Sequence, residues 1–141
     1  MATTNGTRMA QLLASPQNLP DVRHVGARIR MFNENVVMNS QAAGDDIRIA
    51  RLPVGAVPYV GIINASATLG ASATLAIGIA GSTGKYRTAA TFTSANTPTL
   101  FGNAAAMGEV NTSEETVLGT VAVAALPSSG NFRVMMLCGL D

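Results

Sequence analysis

Apolar and polar residues alternate along most of this chain with a period of two rather than 3.6, and that period predicts strands. Residues 46–51 place Ile47 and Ile49 inward and Asp46 and Arg48 outward. Residues 74–80 alternate as cleanly, with Leu75, Ile77 and Ile79 on one face and Thr74, Ala76 and Gly78 on the other. The small residues of that second face, Ala76 and Gly78 above all, invite close approach by a neighbour, and we read them as candidate subunit contacts. Residues 56–64 are apolar on both alternating sets, Val57, Tyr59 and Ile63 against Val60 and Ile62. Residues 132–139 set Phe132, Val134, Met136 and Cys138 against Met135 and Leu137. Strands of this kind are covered on both sides.

The weaker segments complete the count. Residues 25–38 alternate, with Ile29 and Met31 opposed to Arg28 and Arg30, and break near Asn33-Glu34-Asn35, which predicts one strand with a kink or hairpin. Residues 85–92 predict a short strand presenting Lys85 and Arg87, and 115–126 a longer one. Residues 93–108 have Pro98, two glycines and no sustained period, a surface excursion with one short strand near Leu100. Pro53 and Gly55 suit the second and fourth places of a type I turn between two strands. Residues 81–84 read as a loop, and 127–131 as a hairpin loop joining the last two strands. The sum is an all-β, jelly-roll-like sandwich of about eight antiparallel strands. It occupies residues 25–141, behind an extended N-terminal arm of residues 1–24. In the arm, Met9, Leu12 and Leu13 fit one short helical turn that Pro16 stops. With Leu19 they are apolar anchors suited to a partner.

Composition turns this fold into a statement about association. The chain is 141 residues long, 48% apolar and 12% charged, with no Trp and a net charge of +1. A chain of this length buries roughly 68–70% of its unfolded surface and forms one domain without disulfides or metal. Ordinary soluble domains carry about 25% charged residues. Half that charge leaves little electrostatic protection against self-association, so part of the uncharged exterior is expected to lie in permanent interfaces.

Candidate chemistry is thin. His24 stands alone, and one cysteine, Cys138, cannot complete a zinc set. Residues 81–85 (GSTGK) lack the flanking Gly and Ser or Thr of a phosphate loop, since Ile79 and Tyr86 hold those places. No paired carboxylates stand out, so no enzyme, cofactor or small-molecule substrate is expected. Nucleic acid is not expected either, because the arginines form no clustered basic run with interleaved aromatics. Arg28, Arg30 and Arg48 are better suited to carboxylates on a protein partner. The uncharged run between Arg51 and Lys85 is too interrupted by Asn, Ser, Thr and Gly to span a membrane as a helix. The first twenty residues lack the basic start and apolar core of a signal peptide, so export is not expected.

The order RIRMF, DIRIARLPVGA, LGASATLAIGIAGSTGKYRTAATF and ETVLGTVAVAALPSSGNFRVMML resembles the decoration or cement proteins, small all-β structural proteins of tailed-bacteriophage heads. The resemblance runs from Arg28 to Asp141. It rests on strand spacing, the LPxGA turn and the LGAS connection, and leaves the arm uncovered. It implies a jelly-roll-like fold and an oligomer, often a trimer. It also implies binding to the major capsid protein on the capsid exterior, after assembly in the host cytoplasm. No binding residue carries over position by position. Another virion part, such as a head-fibre base or tail component, fits the same assembly logic. A carbohydrate-binding sandwich fits less well without Trp.

Overall fold

The computed structural model describes residues 4–19, 21–22 and 25–140. Eight strands make up two four-stranded antiparallel sheets: β1 (Arg28–Val37), β2 (Asp46–Leu52), β3 (Val57–Ala65), β4 (Thr74–Ile79), β5 (Ser82–Ala90), β6 (Thr99–Phe101), β7 (Glu115–Ala122) and β8 (Asn131–Leu140). One sheet runs β1-β8-β3-β6 and the other β2-β7-β4-β5. The pairs β1 with β8, β2 with β7, β3 with β6 and β4 with β5 are those of one long antiparallel ribbon. Rolling that ribbon up adds β3–β8 and β4–β7. This is the wrapped double sheet of a jelly roll, and the all-β sandwich expected from the period-two pattern is the fold observed.

The core lies between the sheets. From β8 it takes Phe132, Val134, Met136 and Cys138, all fully buried, and from β7 Val117 and Val121; Leu75 and Ile77 of β4 meet them. Ile49 and Leu52 of β2 close one side. Ile47 packs inward with Ile49, while Asp46 and Arg48 face out, as their alternation predicts.

Several expectations about connections change. The bond from the Ala56 amide to the Pro53 carbonyl, 3.2 Å, closes a turn in which Pro53 is first and Gly55 third. Gly55 has φ +85°, the left-handed third position of a type II turn rather than the fourth position of a type I. That turn carries the chain from one sheet to the other. Residues 127–131 likewise join strands of opposite sheets, so they are a crossover and not a hairpin. The tight hairpin is instead at Ala80-Gly81, where Ile79 pairs with Ser82, so β5 begins before Lys85. β7 ends at Ala122, and Val123 turns into positive φ. β1 is one unbroken ten-residue strand through Asn33-Glu34-Asn35, because every residue finds a partner on β8.

Register slips in β2, β3 and β5 decide which side chains face where; the one in β2 falls at Ile49, so that Arg51 faces out as Asp46 and Arg48 do. In β3 the register with β8 slips between Pro58 and Val60, with Tyr59 as the extra residue. An extra residue reverses the facing of everything after it. Gly61, Ile63 and Ala65 therefore face the core, and Val60, Ile62 and Asn64 face out. Val57 and Tyr59 do not share the inner face with Ile63. Val57, though fully buried, stands outside the main core cluster, and the Tyr59 ring lies over Gly139. In β5 the register slips between Ser82 and Arg87, folding residues 83–86 over β4. A Cβ on Gly78 would lie 2.2 Å from the Ser82 carbonyl oxygen and 2.4 Å from that of Thr83, so only glycine permits this crossing.

Candidate interaction surfaces

The two outer faces of the sandwich differ in chemistry. In an antiparallel pair, directly opposed residues share a face. Outside the β2-β7-β4-β5 sheet stand Asp46, Arg48, Arg51, Thr74, Thr116 and Thr120. The hydroxyl of Thr120 donates to the Asp46 carboxylate at 2.6 Å, and the Thr74 hydroxyl to the Ala122 carbonyl at 3.3 Å. This face is polar and wetted. Its small positions are not open ground: Ala76 is 4% exposed, and Gly78 is covered by the backbone of β5. The close neighbour that their size permits is thus a strand of the same chain.

The outer face of the β1-β8-β3-β6 sheet carries two mainly apolar rows. One row across it is Met31, Leu137 and Val60; the next is Asn33, Met135, Ile62 and Leu100. Ile29, Met31 and Leu100 are 57%, 58% and 69% exposed, and the others in these rows that are apolar remain partly exposed. No charged residue stands in either row, but the row beside them is Asn35, Arg133 and Asn64, with Arg133 exposed. Sequence alternation separated Ile29 and Met31 from Arg28 and Arg30 correctly, but it could not tell that the apolar pair faces outward. The pairing with β8 tells it: Arg30 is opposite the buried Cys138 and Met31 opposite Leu137.

Arg28 and Arg30 lie on the other side of β1, exposed because β1 is an edge strand. Arg48 lies on β2, the edge strand of the facing sheet. Between these edges runs an open cleft of about 630 Å³ lined by Glu34, Arg48, Ile49, Ala50, Arg51, Thr116 and Leu118. Arg51 donates to Glu114 at 2.5 Å, and that hydrogen bond raises the guanidinium pKa further. Arg28, Arg30 and Arg48 have no ion-pair partner among the described residues. The cleft offers the guanidiniums of Arg48 and Arg51 and the Thr116 hydroxyl, donors that suit a carboxylate, beside one carboxylate of its own, Glu34.

The arm contains α1 (Thr7–Leu12), the short helix expected around Met9 and Leu12, with Leu13 as its C-cap. None of its residues is buried. Its further bonds are local: the Gln17 side chain donates to the Leu12 carbonyl at 3.1 Å and the Asn18 amide to the Gln11 carbonyl at 3.1 Å. Met9, Leu13 and Leu19 are largely exposed, and Leu12 is partly so. His24 and Arg23 lie outside the described residues.

Lys85 and Arg87 are not presented to a partner. The Lys85 ammonium and the Tyr86 hydroxyl both donate to the carboxylate of Glu115, which is 8% exposed at the start of β7. The Asn111 amide approaches the Tyr86 oxygen at 3.4 Å. Burial, with the Glu115 carboxylate second, pushes the Tyr86 phenol well above its ordinary range. Arg87 donates to the carbonyls of Leu75, Ala90 and Thr91, and burial lowers its pKa. The β5 irregularity that brings two donors onto Glu115 left no mark in the sequence. Burial also pushes the Cys138 thiol up to about 12, which makes it a poor nucleophile. Among the described residues no cluster of three His, Cys, Asp or Glu is placed to hold a metal, and no helix is long and apolar enough to cross a membrane.

No protein-family model matches the sequence, and no curated protein matches it. Solved structures do match in fold. A chain titled "Cyanophage Pam1 capsid asymmetric unit" superposes with a TM-score of 0.70 at 23% identity, covering 100% of both chains. A chain of the "Capsid of Ralstonia phage GP4" has a TM-score of 0.62 at 20% identity, over 82% of this chain and 84% of that one. A third, from the "Acidic stable capsid structure of Helicobacter pylori bacteriophage KHP30", has a TM-score of 0.61 at 12% identity, over 79% and 87%. At these identities the likeness is one of fold. Mutual full coverage means that the first of these is itself a chain of about this size, not a domain of a larger one.

Proposed function

We propose that the chain is a structural protein of a bacteriophage virion, a decoration protein that sits as a homotrimer on the capsid exterior and bridges major capsid subunits. The observation that carries this reading is the end-to-end likeness in fold to a chain of similar size within a phage capsid. It gains support from a surface with uncovered apolar groups and no assembled catalytic set. Attachment falls to the arm, through Met9, Leu12, Leu13 and Leu19, and to Arg28, Arg30 and Arg48 at the β1 and β2 edges, which meet carboxylates of the capsid subunits. The work done is cohesion. Many copies on a closed shell act together, so contacts of modest individual strength raise the temperature at which the particle ruptures. Particles assembled without the protein are expected to form and to rupture at lower temperature in a dye-release melt. Equal rupture temperatures with and without it would remove the cement role, and a reconstruction lacking density for it on the outer capsid surface would remove the location.

A further inference from the structure

We infer that β1 is the strand by which two copies of this chain pair, edge to edge and antiparallel, about a two-fold axis that sets Phe32 of one copy against Phe32 of the other. The inference goes beyond the trimer proposed above, because a two-fold contact joins copies in pairs and so links neighbouring trimers. It also takes Arg30 from the capsid contacts of that reading and gives it to a second copy, leaving those contacts to Arg28, Arg48 and the arm.

The first observation is the state of the sheet edges. An edge strand offers unpaired amides and carbonyls to any strand that reaches it, and folds blunt such edges by shortness or by bulges. β6 has three residues, the register of β2 slips at Ile49, and that of β5 slips at two places along β4. β1 has none of these protections. It pairs with β8 without a slip from Arg28 to Val37, and all its residues but Phe32 and Val36 are exposed.

The second observation is charge, and it selects the occupant. Arg28, Arg30, Phe32, Glu34 and Val36 share the inner side of β1, opposite the buried Cys138, Met136, Val134 and Phe132 of β8. Neither Arg30 nor Glu34 has an ion-pair partner among the described residues. Glu34 accepts the amide of its neighbour Asn35 at 3.1 Å, and Arg48 and Arg51 line the same cleft without pairing to it. Residues 30 and 34 lie equally far on either side of 32, so the two-fold at Phe32 brings Arg30 of each copy directly opposite Glu34 of the other. Opposite charges so placed stabilise a strand pair, and like charges destabilise it.

Other registers do worse. The proposed one pairs residues 28–36 of both chains. Sliding by two residues toward the N-terminus keeps Arg28 opposite Glu34 but pairs only residues 28–34 and sets Arg30 against Phe32; two more set Arg30 against Arg30. Sliding the other way sets Glu34 against Phe32, and a slip of one residue sets the inner face of one copy against the outer face of the other.

The test traps the pair by disulfide, with the full chain and without capsids. Directly opposed Cα atoms of antiparallel strands lie about 4.5–5.5 Å apart, within the roughly 4.4–6.8 Å that a disulfide spans. The parent chain is the background control, because Cys138 is buried. Under air oxidation Phe32→Cys is expected to give a covalent dimer on a non-reducing gel, and Asn35→Cys, which would oppose residue 29, is not. Phe32 packs partly against the core, so a mixture of Met31→Cys and Asn33→Cys chains repeats the test at exposed positions that oppose each other. The mixed dimer is expected in excess of either self-dimer. In the Phe32→Cys background, Arg30→Glu or Glu34→Arg alone sets like charges opposite each other, and the dimer yield at limiting concentration is expected to fall about 10-fold. Both changes in one chain, or the two single variants mixed, are expected to restore it. Arg30 and Glu34 are exposed, so the β circular-dichroism spectrum should stay that of the parent. No dimer from either cysteine set, or dimers from Asn35→Cys as readily as from Phe32→Cys, overturns the contact and leaves the trimer to be judged by sedimentation of the parent. Met31→Cys chains that crosslink chiefly to themselves overturn the register, and a charge exchange that leaves the yield unchanged overturns the pairing of Arg30 with Glu34.

Discussion

Replacing Tyr86 by Phe isolates the buried polar cluster around Glu115 and Asn111. The ring stays and its packing with it. What goes is the hydroxyl that donates to Glu115 and receives the Asn111 amide. A hydrogen bond to a charged group contributes about 1.5–3 kcal/mol, and a buried donor left without a partner adds about 1 kcal/mol. The expected loss is therefore roughly 2–4 kcal/mol, since Lys85 still neutralises the carboxylate from its other side. At about 2.1 cal/mol/K per residue, 141 residues give an unfolding entropy of about 0.3 kcal/mol/K, so Tm should drop by about 7–14 °C. Differential scanning calorimetry measures this directly, and Glu115→Gln should cost at least as much, because its amide would face the Lys85 ammonium. A Tyr86→Phe protein melting within about 2 °C of the parent would mean that the hydroxyl contributes nothing net, and the argument that this cluster pins the β5 bulge would fail.

Two other outcomes follow from the same coordinates. Burial raises the Cys138 thiol from 9.0 to about 12, and a raised folded value means stability fully present below about pH 9 and lost as pH climbs through the 9–12 window. The loss is on the order of 1–3 kcal/mol across that window; Cys138→Ala should therefore lose less Tm between about pH 9 and 10 than the parent does, and an equal slope would assign the alkaline loss to other groups. Deleting residues 1–20 removes α1, which buries none of its side chains, so the sandwich should melt as before while capsid attachment in cosedimentation weakens; a truncated chain that unfolds, or binds particles as well as the intact one, would remove the arm's role.

How much of this was legible in the sequence differs by level. Strand existence was legible wherever the period of two was strong: residues 74–79 and 132–139 needed only their own alternation. Sheet membership was not. Nothing local to Pro53-Val54-Gly55 or to residues 127–131 says whether the chain returns within a sheet or crosses to the other, because either move needs the same turn chemistry. Facing was legible only up to a bulge. Val57, Tyr59 and Ile63 share a face by arithmetic, and one extra residue at Tyr59 undoes it. Gly78 was read correctly as a place of close approach, but approach by what depends on the looping of β5, a long-range fact. The apolar outer face was half legible: Ile29 and Met31 were separated from the arginines, and only their partners on β8 reveal which set meets solvent.

Many of the charges in this chain have partners within the fold. Lys85 is spent on Glu115, Arg51 on Glu114, and Arg87 on three backbone carbonyls. Asp45 accepts the Ala42 amide and Asp46 the Thr120 hydroxyl. Much of the charge near the middle of the chain is thus internal to the fold. Of the charges that remain without an ion pair among the described residues, Arg28, Arg30 and Arg48 stand on the edge strands β1 and β2, while Arg133 stands exposed on the outer face of β8 beside the apolar rows. Ionic contacts there weaken with added salt, whereas apolar burial does not. One sandwich therefore carries surfaces of different chemistry, edge strands bearing Arg28, Arg30 and Arg48 and a sheet face whose apolar rows adjoin the exposed Arg133.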